Sequence, residues 1–162
     1  MRVSAPSDVW PFSSALQEAP IDRPLMVPQH HPCGRLGIPA MDRIKLSNAA
    51  EELAVSKRVG REPDLMLHGH VHRPISGVWA GIPFHTQRAL SHQVHYDEVT
   101  ETLIPGTHEA PDLVILTVID GDIAVHTRSY LYDGPVYSMN EQANIDATTP
   151  AEIQPLTAPA AP

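Results

Sequence analysis

The chain has 162 residues, enough for one domain and too few for two, and 42% of them are hydrophobic but only 5% aromatic. Its 19 acidic against 11 basic side chains give a formal charge of -8, which argues against an extended nucleic-acid surface because phosphate backbones demand a positive field. A single cysteine, Cys33, excludes an internal disulfide, and nothing approaches the ~20 apolar residues of a membrane span or the basic-then-apolar order of a signal peptide, so a reducing, cytoplasmic location is expected.

Residues 1–23 are Pro- and Ser-bearing and weakly patterned, and no element is predicted there. Pro24-Leu25-Met26-Val27-Pro28-Gln29 reads as a short strand ending at His30-His31-Pro32. A helix should open at Asn48, with Glu51 as capping-box partner, Lys57 and Arg58 in the last turn and Gly60 as the terminator. Leu53 with Ala49, Ala50 and Val59 would form its buried stripe. Pro63-Asp64-Leu65-Met66-Leu67 reads as a second buried strand, with His68 at its end and Gly69-His70-Val71-His72-Arg73 leading into a loop. Two hairpins follow, turning at Ala80-Gly81 and at Asp120-Gly121. Continuous apolarity in Leu113-Val114-Ile115-Leu116 predicts a strand covered on both faces, whereas alternation from Ile123 onward predicts a half-exposed one. Residues 24–138 are read as the domain, and 139–162, polar and rich in Ala and Pro, as a disordered tail.

The chemistry gathers where the first two strands end. Parallel strands joined by a helix lie side by side, so His30-His31 and His70-x-His72 should arrive at neighbouring strand exits, where ligand sites of α/β proteins collect. Gly69 would permit close backbone approach or a positive φ. Imidazole is a borderline donor suited to zinc, iron, manganese or nickel, and three histidines from two loops make a partial coordination shell.

His30-His31-Pro32, Gly37-Ile38-Pro39-Ala40-Met41-Asp42, Leu46-Ser47-Asn48 and Gly69-His70-Val71-His72-Arg73 resemble the C-terminal half of a calcineurin-like metallophosphoesterase. The order is closest to the bacterial cyclic-nucleotide and glycerophosphodiester phosphodiesterases, over roughly residues 20–130. This resemblance implies part of an α/β sandwich and a dinuclear centre of divalent Mn, Fe or Zn. It implies hydrolysis of a small phosphodiester by metal-bound hydroxide, with His30 and His70 as ligands of one metal and His72 of the other. His31 would act as proton donor or phosphate contact, and Asp42 and Arg73 would border the substrate.

Full-length members also carry Asp-x-His, Gly-Asp-x-x-Asp and Gly-Asn-His elements, and none of the three occurs here. The chain is therefore expected to be a truncated form that begins after the first half of such a domain, with Ser7-Asp8-Val9-Trp10 left from the preceding strand and loop. The expected partners are a small phosphodiester, with no membrane, and either a second copy of the chain or the missing N-terminal half. The rival readings are a non-catalytic remnant, a module binding one metal through three histidines, and a structural protein pairing through exposed sheet edges. His92-x-x-His95 has metal-like spacing only on a helix, and its surroundings read as loop and strand. His68 and Cys33 read as structural.

Overall fold

The computed structural model describes residues 9–129 and Leu131. The expected tail, 139–162, and the first eight residues lie outside that range. The described part falls in one compact unit of mixed α/β structure, and none of its helices is long and apolar enough to cross a membrane.

Helix α1 (Val9–Glu18) opens the described chain where no element was expected, so Val9-Trp10 belongs to a helix and not to a strand or loop. Pro11 is tolerated there because the first turn has no intrahelical N–H bonds to lose. Its apolar residues Val9, Trp10, Phe12 and Leu16 are interrupted by Pro11 and by Ser13-Ser14, which is why the segment reads as Pro- and Ser-bearing and not as a helix.

Strand β1 (Met26–Gln29) is followed by the short helix α2 (Pro39–Asp42), then by α3 (Ala49–Val59) and β2 (Leu65–His68). Asn48 occupies the cap position of α3 but makes no side-chain cap bond, so the expected capping box is not formed. The C-terminus follows the sequence closely. Gly60 adopts the left-handed conformation at φ 72°, and Gly60 N–H to Lys57 O with Arg61 N–H to Ser56 O completes a Schellman motif. Ala49 is buried and Leu53 packs on the sheet, as expected, but Ala50 is exposed while Val55 and Ser56 are buried. The reason is that α1 lies against α3, so the helix is covered from two sides.

After β2 come β3 (Ile75–Trp79) and β4 (Ile82–Thr86), forming a four-stranded sheet in the order β1-β2-β4-β3. β1, β2 and β4 run parallel, and β3 returns antiparallel at the edge. The sheet core is Cys33, Leu46, Ala49, Met66, Ile82 and Phe84. The Phe84 ring lies over Gly77, where a Cβ would sit 2.7 Å from the ring, so this hairpin needs a glycine for packing as well as one for its turn. Two short strands, β5 (Gln93–Val94) and β6 (Gly106–Thr107), pair with each other, and β7 (Leu113–Ile119) pairs with β8 (Asp122–Arg128). β7 is not covered on both faces: Ile115, Val118 and Ile119 are 40%, 45% and 67% exposed. Among the described residues the β7–β8 hairpin pairs with no further strand, and its apolar run is left partly open to solvent where continuous apolarity predicts cover on both faces.

Candidate metal centre

The site is built by register. Gln29 lies opposite His68 in the parallel β1–β2 ladder, and Gly69 N–H donates to His30 O at 3.2 Å, carrying the pairing one residue beyond the strands. His30 and His70 therefore leave adjacent strands at the same level. A Cβ on Gly69 would sit 3.3 Å from His30 Nδ1, so the glycine serves close approach. The positive φ falls instead on His70 (66°) and His72 (49°), a conformation that costs a non-glycine residue on the order of 1–3 kcal/mol and is retained where the surroundings fix it. Val71, between them, is 1% exposed and roots the loop in a second core cluster with Ile38, Met41 and Val94.

The result is a trio of imidazoles. Ligand nitrogens of His30, His31 and His70 all lie within 4.8 Å of one another, with ring centroids 4.3 Å apart for His31–His70 and 5.1 Å for His30–His70. His70 Nε2 is buried without a hydrogen-bond partner, which is the state of a nitrogen awaiting a ligand or a proton. Burial pushes His70 down to about 4, assisted by the neighbouring imidazoles of His31, His30 and His72. Burial, and then His30, lowers His31 as well. These rings are thus kept neutral, with lone pairs available, at ordinary pH.

His72 stands apart from the trio and packs against His92, with ring centroids 4.5 Å apart. The two groups expected at a substrate mouth are occupied by the protein itself. The Asp42 carboxylate accepts from the N–H groups of Leu36 (2.7 Å) and Gly37 (3.3 Å), closing the loop before α2. Arg73 donates to Val94 O at 2.8 Å and pairs with Glu109 at 3.1 Å. His68 is buried beside Phe84 and pushed down to about 4 by that burial. Cys33 is in the sheet core, where burial and the Glu52 carboxylate raise its thiol to about 12.

No known protein-family profile matches the chain. It is similar to a probable cyclic nucleotide phosphodiesterase of Rhodopseudomonas palustris. The two are 51% identical over 127 residues, which cover 78% of this chain and 46% of the relative. The chain thus spans about half the length of the curated relative it matches.

His92 is the residue near the site that the sequence analysis weighs together with His95 and sets aside, because the pair does not lie on a helix. A signal was present. β4 runs parallel to β2, so the loop after Thr86 leaves the sheet at the same end as the other two histidine-bearing loops, and Ser91-His92 lies on it. The strand-end rule that selected His30 and His70 would have selected it, had β4 been recognised as parallel.

Proposed function

We propose that this chain is part of a metal-dependent phosphodiesterase with a calcineurin-like fold, acting on a small phosphodiester such as a cyclic nucleotide or a glycerophosphodiester. The observation that carries the proposal is the convergence of His30, His31 and His70 from the exits of two adjacent parallel strands. The likeness to a probable cyclic nucleotide phosphodiesterase supports the substrate class.

The residues suit a divalent ion such as Mn, Fe or Zn, because imidazole is a borderline donor and the buried Nε2 of His70 has no other partner. When bound, divalent ions supply Lewis acidity that makes a water nucleophilic and neutralises phosphoryl charge. His30, His31 and His70 would hold one ion, and His72 would face a second. His31 fits lone-pair donation better than the proton-donor role expected for it, since burial and His30 disfavour its protonated form. Asp42 and Arg73 hold the surrounding loops in place through their backbone partners. β1 is an edge of the described sheet, and a strand supplied by the other half of such a protein would pair there and bring carboxylates beside the histidines.

A second reading, a metal-binding module without hydrolysis, is favoured by one observation: among the described residues, the group able to hold a metal contains no carboxylate. The two are separated by assaying an activated phosphodiester with Mn(II), Zn(II) or Fe(II), using the chain alone and then mixed with the part of the Rhodopseudomonas relative outside the match. Hydrolysis that is slow alone, rises on mixing and is lost in His70→Ala supports the phosphodiesterase. Metal uptake with no hydrolysis in either arm supports the module.

A further inference from the structure

We infer that His92 is a metal-ligating residue of this chain, forming with His72 a second imidazole pair beside the His30, His31 and His70 trio. The inference rests on the metal-binding reading above and extends it to a residue outside the trio, paired with His72 and not with His95.

The two rings are brought together from different segments, with centroids 4.5 Å apart and planes at 64°. Their hydrogen bonds bear on which nitrogens are free. His72 Nδ1 lies 3.1 Å from the carbonyl oxygen of His92; a carbonyl only accepts, so Nδ1 must carry the proton and the lone pair falls on Nε2. His92 Nδ1 lies 3.0 Å from Ser91 Oγ, a hydroxyl that can accept from it or donate to it. His72 is thereby held with Nε2 as the donor atom, the orientation that a backbone carbonyl imposes on metal-ligating histidines, and His92 offers the same atom when the Ser91 hydroxyl accepts.

The placement is also fixed from below. Arg73, directly after His72, donates to Val94 O, and Glu109 clamps Arg73 at 3.1 Å and Arg88 at 2.7 Å. His95 N–H donates to Pro105 O at 2.7 Å. The loop bearing His92 is therefore tied to the loop bearing His72 on both sides of the ring contact. Glu109 is spent on the two arginines. His92 itself is exposed and lines a cleft of about 480 Å³ with Thr107, His108 and Glu109, so an ion could reach it.

The test is a calorimetric titration of the full chain with zinc alone, comparing wild type, His92→Ala and His70→Ala. His92→Ala keeps the carbonyl that fixes His72 and removes only the ring, and the exposed position leaves folding, checked by circular dichroism, intact. Zinc affinity at one class of site should fall at least about tenfold in His92→Ala, while the class lost in His70→Ala persists. In parallel, nitrogen-15 spectra of the zinc-free chain should show His72 protonated at Nδ1. Titrations of His92→Ala that match wild type overturn the inference and leave the trio standing. Absence of zinc binding by wild type overturns the metal-binding reading together with it.

Discussion

Among the described residues, four non-glycine residues have positive φ, and they divide between two kinds of place. Ala80 (51°) and Asp120 (52°) each precede a glycine, Gly81 (91°) and Gly121 (93°), in two-residue hairpin turns. There the left-handed conformation matches the strand twist and has a local cause. His70 (66°) and His72 (49°) lie outside any hairpin turn: His70 is the centre of a tight turn closed by Val71 N–H to Gly69 O at 2.7 Å, of the rare and strained γ type, and Gly69 beside it does not take the positive φ. The hairpins use strain to reverse the chain. The histidine loop uses it to aim side chains, with Val71 buried between them as the anchor.

The largest expected effect separates the two places by metal. His30→Ala or His70→Ala should weaken zinc binding by at least about 100-fold, since each removes one of three converging nitrogens. Asp120→Asn, in the hairpin turn, should leave zinc affinity unchanged. Comparable losses from both, in a zinc titration, would mean that binding follows overall folding and not the trio.

The next effect is on stability against pH. His68 has a folded value of about 4 against an ordinary one near 6.5. Between those values the unfolded chain takes up a proton that the folded chain refuses. Stability is therefore full above about pH 6.5 and falls as pH drops toward 4, by an amount on the order of a few kcal/mol. His70 adds to the same window, with its own value also near 4. Urea midpoints measured from pH 7 to 4.5 should fall in wild type and fall less steeply in His68→Leu, which removes one of the two groups. An equal slope in both would show that His68 is not held neutral.

A smaller effect sharpens the contrast between the two uses of backbone strain. His70→Gly should abolish zinc binding at the trio yet raise stability by up to ~1 kcal/mol relative to His70→Ala, because glycine adopts φ 66° without strain. Gly121→Ala should do the reverse, losing ~1 kcal/mol at φ 93° with zinc affinity intact. Equal stability of His70→Gly and His70→Ala would remove the claim that the loop is strained.

Much of this arrangement is legible in the sequence, for identifiable reasons. Gly60 at the end of α3, Ala80-Gly81 and Asp120-Gly121 are local signals whose geometry needs no partner, and each element ends or turns at that point. The histidines at the exits of β1 and β2 are legible because strand ends are read from apolar runs, and the parallel register then brings them together. What is not legible depends on tertiary context. Helix α1 is hidden because Pro11, Ser13 and Ser14 interrupt its apolar residues, and only its packing against α3 shows the helical face. The exposure of β7 depends on what packs on its two faces, which its own residues do not show. The contact between His72 and His92 depends on β4 being parallel, which a sequence showing two consecutive hairpin strands does not reveal. Arg73 and Asp42 look available in sequence, and only the fold shows their partners in Val94, Glu109 and the backbone of Leu36.

The central claim is that three imidazoles from two strand ends form one metal site. X-ray absorption on the chain loaded with one equivalent of zinc tests it most directly, because imidazole rings give outer-shell scattering that counts them. Three imidazoles in wild type, falling to two in His31→Ala, are the expected result. A shell dominated by oxygen, or one containing sulfur from Cys33, would contradict it.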